Sequence, residues 1–401
     1  MESNDRMTQT ATAPQLKAAA AATFVVFGIN GLVFASWAAR IPAVTEILHI
    51  TSGQMGTLLL CVAVGSLIAL PTAGHVIGRI GTSNTIRAAG LLAAAAGAGI
   101  ALSLGAQTIP GTAISLFFFG IGIGLWDVSQ NVEGAAVEHK LGRTIMPQFH
   151  AAFSGGAFIG ALIGAGLSTV GVGLPAHLLV IVAVVAATAL AVPRYFLPFE
   201  PVAAPPAGEP GLSRAPRAWG DGRTLLIGVV VLGATLTEGA GNDWIAKAAV
   251  DGLGQQQSTG ALLFAVFVLA MTAMRFFGGR AIDAYGRVAV LKASMAAAAL
   301  GLGLFVLAGD VWLATAGAAL WGVGAALAFP VGMSAAADDP QHAAARVSVV
   351  STLGYIAFLA GPPLLGYLGD VTGIRLALLA IVAPILVALL LAGAAKPVRA
   401  G

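Results

Sequence analysis

The segment TAISLFFFGIGIGLWDVSQN, Thr112 to Asn131, runs through Trp126 without a charge and then sets an aspartate, Asp127, one helical turn from an asparagine, Asn131. Its apolar part has no alternation of polar and apolar residues, so it reads as a helix and not as the strand of a barrel. With its flanks it supplies the roughly 20 residues that a helix needs to cross about 30 Å of hydrocarbon. The rest of the chain repeats the pattern. Of 401 residues, 58% are hydrophobic and 9% charged, whereas soluble domains carry about a quarter charged residues. Twelve runs are long enough to span a bilayer, near 18–41, 53–77, 84–106, 110–132, 149–168, 172–193, 224–247, 258–279, 288–308, 311–334, 347–368 and 374–395. The fold class expected is an all-α membrane protein, and the first run reads as a retained span, since it is too long for a signal-peptide core.

Between runs six and seven lies PRYFLPFEPVAAPPAGEPGLSRAPRAWGDGR, Pro193 to Arg223, with seven of the 19 prolines. It reads as a semi-extended linker between two bundles of six helices. The expected organisation is a tail (1–17), a first bundle (18–193), the linker (194–223), a second bundle (224–395) and a second tail (396–401). If the N-terminus is cytoplasmic, all but Arg40, Lys247 and Arg375 of the 20 lysines and arginines fall on the cytoplasmic side. That bias predicts a multi-pass protein of the cytoplasmic (inner) membrane with both termini inside.

The two halves echo one another. GHVIGRIGTS, Gly74 to Ser83, returns 205 residues later as GRAIDAYGRV, Gly279 to Val288. Each copy places a second glycine, Gly81 and Gly286, seven positions after the first. The pairs Gly120/Gly122 and Gly322/Gly324 stand 202 residues apart. Such duplication is expected of proteins whose binding site lies at mid-membrane between repeats.

Twelve spans as six plus six, a long central loop and the two loop segments together resemble the major facilitator superfamily, whose loop signature is G-x-x-x-D-R-x-G-R-R. The second copy keeps Asp283, Gly286 and Arg287 and has Ala284 for the arginine; the first keeps Gly74, Arg79 and Gly81 and has Gly78 for the aspartate. Within that superfamily the acid and asparagine of span 4, Asp127 and Asn131, are similar to those of the fucose-permease-like bacterial branch. The chain departs from that branch at His150, Phe153 and Asn30, where a glutamine, an asparagine and an aspartate would stand. The resemblance implies two six-helix bundles related by pseudo-symmetry, each with inverted three-helix repeats. It implies a secondary transporter that moves a small polar solute by alternating access, with protons as coupling ion. Drug or metabolite efflux by proton antiport and a non-transporting sensor or scaffold are the alternatives.

Taken without the family, the residues point the same way. On a helix Asp127, Gln130, Asn131 and Gly134 share one stripe. An acid at mid-bilayer opposes insertion by about 2.5–3.5 kcal/mol, and the repeat does without it, since Phe329 and Met333 occupy the equivalent positions. Asp127 is therefore read as a proton or solute group, with a latch to Arg79 or Arg143 as the competing reading. Span 7 offers Thr235, Glu238 and Asn242 at i, i+3 and i+7. Asn30 and Trp37, with Phe27 and Phe34, are expected to line a cavity from span 1, with core packing as the competing reading, and His150 to sit at the start of span 5 as a proton relay, with a merely solvated histidine as the alternative. Asp243, Trp244 and Lys247 are expected at a solvated outer end, Arg40 to snorkel or attract an anion there, and Arg275 to snorkel toward the cytoplasm. The prolines of GPPLLGYLGD, Gly361 to Asp370, predict a bend in span 11.

Other classes are excluded. GIGIG does not complete G-x-G-x-x-G after a strand, no G-x-S-x-G elbow occurs, and no His/Cys set has metal-ligand spacing. The single cysteine, Cys61, lies inside an apolar run. A net charge of +3 gives no basic patch for nucleic acid. The expected partners are a small-molecule substrate, the lipid bilayer and protons. No enzyme activity, cofactor, metal or nucleic-acid partner is expected, and the protein is expected to be a monomer.

Overall fold

A computed structural model describes residues 12–143, 145–198, 218–339 and 342–397; most of the linker and the outer parts of both tails lie outside these. The described chain is helical throughout its apolar runs. Span 1 is Ala13–Ala38, followed by a short helix, Ile41–Leu48. Spans 2 and 3 share one continuous stretch, Ser52–Gly105, broken at Gly81. Spans 4, 5 and 6 are Ile109–Leu141, Met146–Thr169 and Leu174–Ala191. Spans 7, 8 and 9 are Gly222–Leu253, Gln257–Tyr285 and Arg287–Leu307. Span 10 is Val311–Ala325 continued by Ala328–Ala336, span 11 Ala343–Thr372 and span 12 Ile374–Ala395. Counted across Gly81, these are the twelve spans expected; spans 2, 4, 5, 7, 8, 10 and 11 outrun the predicted windows because the helices continue past the apolar runs, whereas span 6 is shorter than its window.

Local chemistry marks the ends. Thr12 with Gln15, and Thr51 with Gln54, form capping boxes that satisfy the first amides of spans 1 and 2. Prolines at the first turn open spans 1, 4, 5 and 6, where a missing N–H costs nothing.

The turn glycines make the duplication visible in the backbone. Gly81 has φ 80° and ψ 164°, and Gly286 has φ 79° and ψ 157°, a conformation closed to residues with a Cβ. The duplication extends to packing. Gly120 presses on the carbonyl of Val62 and Gly322 on that of Phe267, with no room for a side chain at either. Gly122 and Gly324 sit in the same way against Ala93 and Ala298 of spans 3 and 9. Each partner lies 205 residues from its counterpart, so the Gly-x-Gly pairs wedge spans 4 and 10 between their neighbours in one common geometry.

The bundles meet differently at their two ends. At the face remote from the chain termini, spans 2 and 11 close on each other: Thr51 Oγ1 and the Gly53 amide donate to the Asp370 carboxylate at 2.8 and 3.1 Å. The Thr57 and Tyr367 hydroxyls lie 3.1 Å apart. Gly56 admits the backbone of Pro362 and Pro363, and Gly366 that of Ser52, so span 11, which stays one helix through its two prolines, packs backbone to backbone on span 2. Lys247 Nζ donates to Thr45 Oγ1 at 3.1 Å and to Asp251 at 2.6 Å, tying span 7 to the short helix Ile41–Leu48.

At the terminal face each half has its own carboxylate tie. Buried Glu133 accepts from Thr82 Oγ1 at 2.9 Å and from the Leu197 amide at 2.8 Å. In the second half Asp338 accepts from Arg287 at 2.5 Å and Arg223 at 2.9 Å, and Arg223 reaches the carbonyls of Ala394 and Lys396. Burial pushes the Asp338 carboxyl up, but the hydrogen bonds and charges of the two arginines outweigh it and hold it below the ordinary value. Across the bundles the terminal face is splayed: Arg79 and Asp283 are exposed, and nothing lies within 4 Å of a Cβ built on Gly74 or Gly279.

Three expectations for the outer end are corrected. Trp244 is fully buried and Lys247 is 5% exposed, because the short helix Ile41–Leu48 packs over the end of span 7. Arg40, 3% exposed, neither snorkels nor faces solvent; it donates to the carbonyls of Gly164 and Val172 at the ends of spans 5 and 6. Burial lowers its pKa.

Candidate functional site

A cavity of about 1140 Å³ lies between the bundles. Its wall runs from the middle of spans 4 and 7 to Pro147, Ile282 and Arg287 at the terminal face. Closure at the opposite face and the splayed loops at this one make it a vestibule open on the terminal side.

Span 4 brings Asp127 and Gln130 to the wall, as their i, i+3 spacing requires. Asp127 is exposed to the cavity although it lies deep within a membrane span. Its Oδ1 accepts from Gln130 Nε2 at 3.0 Å and from Asn131 Nδ2 at 3.3 Å, and Asn131 also donates to the Asp127 carbonyl at 2.8 Å. Among the described residues it makes no ion pair, with Arg79 and Arg143 or with any other base, so it latches nothing in this conformation. Gly134 and its stripe-mates Gly120 and Gly124 serve contacts with spans 5 and 2.

The second half answers with Glu238 of span 7, which accepts from Arg275 Nη2 at 2.8 Å. Arg275 was expected to snorkel, and its actual position follows from a proline. Pro330 has no N–H to give the carbonyl of Ala326 four residues back, and span 10 breaks at Ala326–Leu327. Arg275 Nε fills that vacancy at 3.2 Å, which holds its guanidinium at the cavity wall beside Glu238. Thr235 also lines the cavity; its hydroxyl and the Gln130 Oε1 are buried without a hydrogen-bond partner. Asn242, a turn further along span 7, lies outside the lining, with its Oδ1 buried and unpartnered.

His150 lines the vestibule with its ring edge-on to Phe27 at 5.3 Å. Span 1 divides its expected residues. Phe27 reaches the cavity, and Phe34 leans on Phe153. Asn30 and Trp37 are buried and do not line it; Trp37 packs toward spans 3 and 6 with Gly97, Ile100 and Ile181. At 100° per residue Asn30 and Trp37 lie about 60–80° round the helix from Phe27, enough to move them from the wall into the first bundle. Of the loop-motif residues, Gly279 and Arg287 border the vestibule, while Gly74, Arg79, Gly81, Asp283 and Gly286 do not.

Sequence reasoning missed the ring set. Phe276, Phe329 and Phe358 join Phe27 and Phe153 on the wall, so an apolar, aromatic lining surrounds few polar groups. Within apolar spans nothing distinguishes a cavity phenylalanine from a lipid-facing one. Among the described residues no group of three or more His, Cys, Asp and Glu side chains is placed to hold a metal ion.

Comparison with known proteins agrees with this architecture. The sequence pattern of the Major Facilitator Superfamily matches residues 225–400. An uncharacterized transporter, y4wD, of Sinorhizobium fredii is 33% identical over 371 residues, covering 90% of this chain and 96% of its own length. An uncharacterized MFS-type transporter of Yersinia pestis is 30% identical over 363 residues, covering 88% of this chain and 90% of its own. Among solved structures, the nucleoside transporter NupG superposes with a TM-score of 0.73 at 14% sequence identity, covering 94% of this chain and 99% of that one.

Proposed function

The chain belongs to the major facilitator superfamily, and from that premise we propose that it carries a small polar solute across the cytoplasmic membrane by alternating access, coupled to protons. The observation that carries this reading is the vestibule itself. It lies between two bundles, is shut at one face by contacts between spans 2 and 11, is open at the other, and is walled by an acid from each half, Asp127 and Glu238. Rocking the bundles about that site would part the first face and bring Arg79 and Asp283 of the open face toward the opposite bundle.

The charge bias of the loops supports a cytoplasmic terminal face, and the vestibule then opens inward. The two halves act as the two rocking bodies, and one chain suffices for the site. A carboxyl buried in a wall takes up a proton in one conformation and releases it when a cation or water approaches. Glu238 suits this role, because its protonation frees Arg275; Asp127 suits it through its exposure to the vestibule.

Purified protein in proteoliposomes tests the reading. A pH gradient is expected to drive accumulation of a transported solute, and Asp127→Asn or Glu238→Gln to abolish accumulation, with solute exchange retained in at least one of them. Undiminished accumulation in both variants would overturn the coupling, and the absence of counterflow for any of a panel of sugars, polyols, carboxylates, nucleosides and amines would overturn transport.

A further inference from the structure

We propose that Asp127 is the counter-ion of the solute: the vestibule takes a small organic ammonium, its charge set against the Asp127 carboxylate and its body among the phenyl rings. The inference rests on the transport reading above and adds the charge class of the cargo.

It follows from an inventory of charge. The groups on the vestibule wall that carry or can gain charge are Asp127, His150, Glu238, Arg275 and Arg287. Arg275 is paired with Glu238 at 2.8 Å and Arg287 with Asp338 at 2.5 Å. His150 lies edge-on to Phe27 and makes no ion pair with Asp127. Among the described residues, Asp127 is thus the one acid of the wall that no protein cation pairs. Among the described residues its hydrogen-bond donors are two neutral amides, and both bind the same oxygen, Oδ1. Oδ2 has no donor among the described residues and belongs to a residue exposed to the cavity.

The surroundings fit an ammonium better than the alternatives. With a neutral solute a proton alone would have to compensate the carboxylate when the vestibule closes, and an anion would meet it as a like charge. Phe27, Phe153, Phe276, Phe329 and Phe358 line the same space, and ring faces attract ammonium groups, most strongly where water is excluded. The two buried oxygens without partners, Gln130 Oε1 and Thr235 Oγ1, are acceptors for the N–H and O–H groups of such a solute. Gln130 cannot turn its nitrogen inward instead, because that nitrogen serves Asp127. With Asp127 occupied by the cargo, Glu238 remains as the group that takes the coupling proton.

Matched pairs decide the charge class on the unaltered protein: glucosamine against glucose, ethanolamine against ethylene glycol, and choline against its uncharged carbon isostere. Binding is followed by melting temperature and calorimetry at neutral pH. At least one ammonium member is expected to stabilise the protein while its neutral partner does not. Asp127→Asn is expected to weaken that binding by about thirtyfold or more, and Asp127→Glu to keep the preference. A neutral member that binds as well as its ammonium, binding that survives in Asp127→Asn, or no binding by any ammonium overturns the proposal. If neutral or anionic solutes nevertheless show counterflow, only the charge class has failed; if no solute does, the transport reading has failed with it. Where Asp127→Asn does not fold, the matched pairs on native protein and on Asp127→Glu still decide.

Discussion

Span 4 and span 10 share a docking motif and part within two turns of it. Gly120 and Gly122 dock span 4 against spans 2 and 3 as Gly322 and Gly324 dock span 10 against spans 8 and 9. Immediately afterwards Asp127 and Val128 stand where the second half has Phe329 and Pro330. In the first half the helix continues and presents an acid. In the second it breaks, and the carbonyl that Pro330 leaves without a donor recruits Arg275, which in turn pairs with Glu238 of span 7. Shared positions hold the architecture, and divergent ones make the two walls of the vestibule chemically unequal.

The comparison can be broken most severely at the shared glycines. Gly122→Leu and Gly324→Leu each drive a side chain into the backbone of the adjoining span. Both are expected to cost more than about 3 kcal/mol and to abolish the monodisperse peak in detergent size-exclusion chromatography. If only one did so, the two halves would not share the packing described.

A smaller effect is expected at the pair unique to the second half. Glu238→Gln leaves Arg275 without its counter-charge, and since the arginine is 35% exposed the loss is screened to about 1 kcal/mol. Adding Arg275→Gln is expected not to restore stability fully, because the Ala326 carbonyl then loses its donor as well. Thermal melts of the single and double variants measure the coupling.

Asp338 sharpens the contrast between the ties at the terminal face. Its depressed pKa means that its stabilising contribution is fully present above the unfolded carboxyl value, near 4, and is lost as pH falls through the lower folded value. Asp338→Asn is expected to lower stability by about 1 kcal/mol at neutral pH, with the difference from wild type shrinking in melts taken at more acid pH.

The least effect on stability is expected at the residue with the greatest effect on function. Asp127→Asn removes an acid that span 10 does without and keeps the amide contacts in altered form, so stability should change by less than about 0.5 kcal/mol while accumulation is lost. A large fall in melting temperature would make Asp127 a structural residue.

The spans and the duplication were legible because each is a local signal: a window of hydropathy, or a glycine at a fixed interval. The backbone turns at Gly81 and Gly286 sit where the loop echo predicted them. The vestibule was legible in part. Asp127, Gln130 and Glu238 stood out because a carboxyl or amide inside an apolar helix has few structural uses. Arg275 was misread because its placement depends on a proline 55 residues later in the sequence. Lys247, Trp244 and Arg40 were misread because the short helix Ile41–Leu48 and the ends of spans 5 and 6, which cover them, give no signal in their own neighbourhood. Trp37 was lost to a rotation of the helix face that spacing alone expresses and that the grouping with Phe27 overlooked.

The cap that Asp370 places on the start of span 2 sets the stiffness of the far gate. Two bonds to that carboxylate, one between hydroxyls, and those of Lys247 to Thr45 and Gln257 to Glu46 join the bundles at this face, each worth about 0.5–1.5 kcal/mol net of the water that replaces it. Their sum is a few kcal/mol, of the same order as the 2.3 kcal/mol or so released when one elementary charge falls through about 100 mV. A cationic cargo drawn by the membrane potential would thus bring to the gate a load of the same size as the catch that holds it, and the closed face behaves as a spring matched to its driver.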